Sequence, residues 1–139
     1  MELNYVAILI ATILQFIFGA IWYSFLFGKL WGKIHGFDKL SKEVQQKMMK
    51  QMGPFYGIQF FVTIVTTFVL AIFITNLPYW NAYGMAGFFW LGFVVPTQVS
   101  AVIFGGTEGK WILKKVLVQA GASLGCLMIA AAILRMMSL

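Results

Sequence analysis

Four glutamines are the residues of this chain whose type and placement could do chemistry, because each lies within a long apolar stretch. Counted from the lysine-rich ends of their stretches, Gln59, Gln98 and Gln119 fall at similar shallow depths, whereas Gln15 stands apart. A buried amide is costly unless it finds hydrogen-bond partners. We therefore expect these three glutamines to converge, either as a layer of hydrogen bonds between helices or as a polar cavity for a small neutral or amphipathic ligand.

The predicted cavity would also be lined by hydroxyl and aromatic side chains, which suit such a ligand better than a bare ion. Pro96 removes one amide and displaces the carbonyl of Gly92, so a kink is expected beside the cavity. The aromatic candidates would lie near its mouth. The candidate ligand-binding residues are Gln59, Thr63, Thr97, Gln98, Gln119, Trp22 and Tyr23.

Catalytic groups are not evident in the sequence. The apolar stretches contain no carboxylate, Cys126 is the only cysteine and His35 is the only histidine. Nucleophilic catalysis needs a paired nucleophile and base, and a metal site needs several ligands. The sequence therefore predicts a protein that is not an enzyme and that uses no metal and no cofactor.

A Phe-Gly-x-x-x-Gly-Lys frame occurs twice, as FGKLWGK at residues 27–33 and FGGTEGK at residues 104–110. It resembles part of a Walker A motif, which would bind phosphate. That motif requires four residues between the glycines and a Ser or Thr after the lysine, but Ile34 and Trp111 follow here. We instead interpret each copy as the point where a membrane helix ends, with the first glycine as its cap and the lysine near lipid headgroups.

These residues must be positioned by membrane helices, because 61% of the 139 residues are hydrophobic and only 10% are charged. A soluble domain carries about 25% charged residues. Crossing a hydrocarbon core of about 30 Å requires roughly 20 helical residues. The sequence predicts one all-α, polytopic domain over residues 1–139, with four transmembrane helices near residues 3–27, 55–77, 82–104 and 111–134.

The basic residues predict how the helices are oriented. Nine of the ten lie between the first and second stretches or around the connection between the third and fourth, and only Arg135 lies elsewhere. Basic connections face the cytoplasm. Both termini are therefore expected outside the cytoplasm, and the net charge of +6 is expected to meet anionic lipid rather than nucleic acid.

Two further features bear on partners. Residues 36–53 predict a short basic amphipathic helix between the first two spans, which would lie on lipid or dock a partner protein. Gly121 and Gly125 form a small-residue face, packed inside the bundle or between subunits, and we expect the chain to form a homo-oligomer, a dimer through such faces. The function is then either an oligomeric small-solute binding, channel or transporter-like protein, or a non-catalytic accessory subunit of a larger membrane complex.

The end of the first span carries a resemblance to a known family. Gly19-x-x-Trp22-Tyr23-Ser24, followed by Phe27-Gly28-Lys29-x-Trp31, resembles the first-helix motif of a bacterial four-helix membrane family catalogued as a domain of unknown function. The exit of that family's third helix usually reads Phe-x-Gly-Arg, whereas residues 104–110 here have an extra glycine and no arginine. The resemblance implies four helices and a bacterial inner membrane, and it implies no activity.

Overall fold

The structure, a computed structural model, describes residues 2–138, and within them every regular element is a helix. The α-helices are α1 (Tyr5–Ile21), α2 (Gly28–Ile34), α3 (Lys42–Gln51), α4 (Gly53–Asn76), α5 (Ala82–Phe89), α6 (Val95–Phe104) and α7 (Ile112–Met136). Four helical stretches are long and apolar enough to cross a membrane, and we call them spans one to four: Tyr5–Leu26, Gly53–Asn76, Ala82–Phe104 and Gly109–Met136. The predicted all-α polytopic fold is confirmed.

Short polar side chains start three of the helices. The Asn4 side chain accepts a hydrogen bond from the Ala7 amide (3.0 Å), and Asn81 accepts one from the Gly84 amide (2.9 Å). Ser41 caps α3 in the same way. Each cap satisfies an amide that the first turn of a helix leaves without a partner. The amphipathic helix α3 therefore begins at Lys42, and the Gly53-Pro54 pair that follows it starts α4.

Span four is the centre of the bundle, since it packs against each of the other three spans. Span one also packs on span two, and span three lies almost entirely on span four. Alanines make these approaches close: Ala7, Ala11, Ala130 and Ala131 are fully buried. Spans two and three meet only over a small area of α4 and α5, where Phe73 and Phe89 pack edge to face with centroids 4.9 Å apart.

The small-residue face of span four lies inside the bundle, where span one covers it. A Cβ atom at Gly121 would lie 2.7 Å from Cζ2 of Trp22, and one at Gly125 would collide with the ring of Phe18. The expected dimer contact through this face is therefore wrong, because aromatic side chains of the same chain already occupy the space above both glycines.

Spans one and three are each interrupted by a π-helical turn that begins with a tryptophan, at Trp22–Leu26 and Trp90–Val94. In the third span the Val95 amide bonds to the Trp90 carbonyl, and Pro96 follows in the first turn of α6. Proline cannot supply the amide that a continuous helix would use. The irregularity expected at Pro96 is therefore a π turn that ends at Val94, directly before α6 begins.

The glycine frames end their helices differently from the prediction. In the first copy the helix resumes at Gly28 as α2, and the glycine with left-handed backbone is Gly36 (φ 72°). In the second copy α6 does end at Phe104, but Gly106 (φ 78°), rather than Gly105, is left-handed. In both cases the chain therefore turns at a later glycine, which lies three residues beyond the first copy and within the second. The first glycine of the first copy continues the helix, and that of the second copy keeps an ordinary negative φ.

The two ends of the bundle have different chemistry. At one end, Asn4 donates to the Met137 carbonyl and Arg135 donates to the Trp80 carbonyl, each at 3.0 Å, so the segments near both termini meet the turn between spans two and three. The other end carries α2, α3 and the connection at residues 105–111. We call it the basic end, because nine lysines belong to it.

Candidate functional site

One intramembrane polar pair joins spans one and two. The Gln15 amide nitrogen donates to the Thr67 hydroxyl (2.8 Å) and to the Ala11 carbonyl (3.1 Å), and both side chains are buried. Thr67 in turn donates to the Thr63 carbonyl of its own helix (2.7 Å). This pair is a short hydrogen-bonded chain that fastens two helices, and such contacts are a recognised means of holding membrane helices together.

A second pair joins spans three and four, and it is incompletely satisfied. The Gln98 amide nitrogen donates to the Ser123 hydroxyl at 2.6 Å, and Ser123 donates to the Gln119 carbonyl at 3.0 Å. The Gln98 side-chain oxygen Oε1 is buried and has no hydrogen-bond partner among the described residues. A buried carbonyl without a partner costs free energy, so a hydrogen-bond donor that reached the Gln98 side-chain oxygen would stabilise the protein.

The structure brings together only some of the predicted site residues. Gln98 meets Gln119 through the backbone carbonyl of Gln119, at 3.5 Å. Gln59 is exposed on the outside of α4 and reaches only Thr63 of its own helix, at 3.4 Å. Thr97 is also exposed, and its hydroxyl donates to the Phe93 carbonyl (2.6 Å). Gln59 therefore does not converge with Gln98 and Gln119, because equal depth along two helices does not place side chains on facing sides.

The two aromatic candidates pack within the bundle end rather than around a cavity. The Trp22 indole donates to the Val118 carbonyl at 3.0 Å, and its ring covers Gly121. The Tyr23 ring packs on Trp31 with centroids 4.9 Å apart. Neither residue lines the cleft between spans two and three or the cavity at the basic end. Trp22 therefore links span one to span four through the indole hydrogen bond.

A second indole hydrogen bond between spans, made by Trp90, was not predicted from the sequence. Its indole donates to the Ala120 carbonyl at 2.8 Å, so spans one and three each bind span four through a tryptophan at the start of a π turn. A signal was available, because Gly87-x-x-Trp90 repeats the spacing of Gly19-x-x-Trp22. The partners Thr67 and Ser123 were harder to identify, since no sequence pattern indicates which helix faces pair.

An apolar cleft opens between spans two and three. It encloses about 370 Å³, Leu70 and Leu127 are among its lining residues, and Phe73, Phe89 and Phe93 supply aromatic side chains. Thr66 also lines it. Gln59, Thr66 and Phe73 are spaced seven residues apart on α4, so they follow one side of that helix. Gln59 therefore lies on the same side of α4 as the cleft, nearer the basic end and outside the cleft itself.

Leucine substitutions at Gln15 and Gln98 are expected to have opposite effects. Gln15→Leu removes the bonds to Thr67 and Ala11 and should lower the free energy of unfolding by about 0.6–1.7 kcal/mol. Gln98→Leu also loses its bonds to Ser123 and to the Gln119 carbonyl, but it removes a buried unpaired oxygen whose burial costs about 1–3 kcal/mol, so stability should be unchanged or higher. Thermal melting of the detergent-solubilised protein measures both. An equal loss in the two variants would show that the Gln98 oxygen has a partner in the native state.

Comparison with known proteins identifies a family but no activity. Within residues 2–138, no group of three or more His, Cys, Asp or Glu side chains is arranged to hold a metal ion. Neither the curated proteins nor the solved structures gave a match to this chain. A family model matches residues 6–135, which is nearly the whole bundle. The chain therefore belongs to the family described as "Protein of unknown function (DUF1761)".

Proposed function

We propose that this protein is a non-enzymatic membrane protein that binds a small uncharged amphipathic solute in the cleft between spans two and three. The observation that carries the proposal is the composition of that cleft: aromatic and aliphatic walls, with Gln59 on the same side of α4 toward the basic end. The seven residues from Gln59 to Thr66 rise roughly 10 Å along the helix. That length matches a solute whose apolar body fills the cleft and whose polar group bonds to Gln59.

The interior of the chain favours this lateral site over a central one. The alanine-lined contacts between spans one, two and four leave Ala7, Ala11, Ala130 and Ala131 fully buried. The buried amide of Gln15 bonds within the bundle. A solute carried by this protein would therefore move along the outside of span four, between spans two and three, and a channel-like or transporter-like role would use that path.

The proposal includes an orientation and a self-associated state in a bacterial inner membrane. The basic end would face the cytoplasm and its anionic lipid headgroups, and both termini would lie outside. Because Gly121 and Gly125 face span one, copies would meet through lipid-facing side chains of spans two and three.

Photolabelling tests the solute site. A diazirine derivative of octanol, applied to the purified full chain in detergent, is expected to label Phe73, Phe89 and Phe93, and excess octanol should suppress the labelling. Val69 lines the cleft, so Val69→Trp fills it and should reduce the labelling severalfold. Val65→Trp is the matched control, since Val65 is similarly exposed (47% against 44%) and does not line the cleft. Labelling that octanol does not suppress would mean that the cleft holds only lipid or detergent chains.

A second candidate, an accessory subunit of a larger membrane complex, is favoured by α3. This helix packs against the bundle only where α4 begins, and it exposes an apolar face of Val44, Met48, Met49 and Met52. The mass of the gently solubilised particle distinguishes the two functions. Multiples of the chain mass support the self-associated solute-binding protein, whereas a constant ratio to one unrelated chain, lost on Met48→Lys, supports the accessory role.

A further inference from the structure

The two glycine-lysine frames, 77 residues apart in the sequence, line a single cavity at the basic end. Lys33 closes the first frame, and Gly105, Gly106, Thr107 and Lys110 belong to the second. The cavity encloses about 450 Å³. Because α6 ends at Phe104, the first residue of the second frame, the cavity lies where the membrane-spanning helices stop. We propose that this cavity binds a phosphate group.

The charges around the cavity are unbalanced toward positive. Its charged lining residues are four lysines and two acids, so the formal charge is +2 with His35 neutral. The cavity draws these charges from both sides: Lys33, Lys39 and Asp38 come from the segment between spans one and two, and Lys110 and Glu108 come from residues 105–111, with Lys115 from the start of α7. Lysine is a common phosphate ligand, which it binds as a point charge.

The lysines of the second connection are available to an anion. The Lys110 ammonium lies 3.6 Å from the Glu108 carboxylate, but both side chains are about two-thirds exposed, and exposed pairs of this kind contribute little. The Lys110 ammonium also lies 5.6 Å from the centre of the Trp111 ring, and that of Lys115 lies 5.9 Å from the centre of the Trp31 ring. The aromatic rings hold both ammonium groups near the cavity without neutralising them.

Thr107 supplies an observation that the lysines do not. Its hydroxyl oxygen is buried and has no hydrogen-bond partner among the described residues, although the residue lines a cavity of polar character. The oxygen is closed to the cavity in this rotamer, so a side chain that turns into the cavity and donates to a bound group would account for the unpaired hydroxyl. A phosphate oxygen accepts such a bond and also satisfies the lysines around it.

The backbone before Thr107 has the conformation of an anion site. Gly105 has φ −93° and ψ 17°, and Gly106 has φ 78°. This alternation of right- and left-handed residues turns consecutive backbone N–H groups toward one concavity, which binds anions in many proteins. A Cβ atom at Gly105 would collide with the Ala101 carbonyl, so the frame glycines are needed for this path. The site lacks a Walker A loop, yet its groups suit the same phosphate chemistry.

Two sources could supply the phosphate group: the headgroup of a membrane lipid and a free phosphate in solution. Native mass spectrometry of the full chain in detergent distinguishes them, with phosphatidylglycerol as the lipid probe and diacylglycerol as its counterpart without phosphate. We expect phosphatidylglycerol, and not diacylglycerol, to stay bound. If inorganic phosphate displaces it, the site takes free phosphate as well; if inorganic phosphate does not, the site is specific for a lipid headgroup. Either result supports the phosphate site.

Paired lysine variants locate the binding. Lys33→Gln with Lys110→Gln should weaken phosphatidylglycerol binding about tenfold or more, because each lost contact is charge-assisted. Thr107→Val, which removes only the buried hydroxyl, should weaken it severalfold. The matched control is Lys47→Gln with Lys50→Gln, on exposed α3 at the same end and outside the cavity. Equal weakening by the two lysine pairs would show general surface attraction and overturn the proposal, as would unchanged binding in the first pair.

Discussion

Gly121→Leu is expected to lower the melting temperature of the solubilised protein more than any other single glycine substitution in the spans except Gly125→Leu. Even a Cβ atom at Gly121 would lie 2.7 Å from Cζ2 of Trp22. Trp22 has little freedom to move, since it donates to the Val118 carbonyl and its ring lies between those of Phe18 and Phe27, with centroids 5.6 Å and 4.7 Å away. Overpacking of this kind costs about 1–3 kcal/mol, and occasionally more.

Gly57→Leu is the matched control for this prediction. A Cβ atom at Gly57 would meet nothing within 4 Å, and the residue is exposed on α4. Leucine there is compatible with lipid and favours the helix more than glycine does, so the melting temperature should not fall. A Gly121→Leu protein that melted like the wild type but changed its oligomeric mass would contradict the packing of span four on span one.

A reporter enzyme that is active only outside the cytoplasm should be fully active when fused at the C-terminus and inactive when inserted at residues 105–110. The structure places the segments near both termini at the same end as the Trp80 turn, so one fusion reports the side for all three. Replacing Lys29, Lys33, Lys39 and Lys42 by asparagine should make the orientation mixed, because it removes four of the nine lysines from which the positive-inside rule predicts that the basic end faces the cytoplasm.

Arginine at the same four positions is the control for the orientation. It keeps the charges and should leave the reporter pattern unchanged. A C-terminal fusion in the otherwise unchanged chain that is active only as a cytoplasmic reporter would show that the bundle is inserted the other way round. In that case the basic cavity would face the cell exterior, and the phosphate source would have to be sought there.

The spans and their order were predictable because they depend on local composition. Twenty apolar residues form a helix in lipid irrespective of neighbours, since no other structure satisfies their backbone there. The sequence also indicated the amphipathic helix within residues 36–53 and the irregularity near Pro96. These features depend on residues within one or two turns of each other, which sequence patterns report directly.

Which helix faces meet was much less predictable. In span one, Ala7, Ala11, Gln15 and Gly19 recur every four residues as a stripe. The first three are buried, but at Gly19 a Cβ atom would meet only open space. Residues four apart are displaced by about 40° around a helix of 3.6 residues per turn, so such a stripe winds away from its partner. In lipid, both sides of a helix are apolar, and hydrophobicity gives no correction. The predicted convergence of Gln59 with Gln98 and Gln119 was wrong for this reason, because hydrophobicity does not show which side of a helix in lipid meets another helix.

The central position of span four has a consequence for how the protein is made. Span four is translated after the other three spans, yet the carbonyls that accept the Trp22 and Trp90 indoles belong to it. Until it enters the membrane, spans one and three lack these partners, and Gln98 lacks Ser123. Spans one and two can already pair through Gln15 and Thr67, but the complete bundle must wait until span four has been made. During that interval a ribosome-bound chain has its polar groups exposed to the insertion machinery and to membrane proteases.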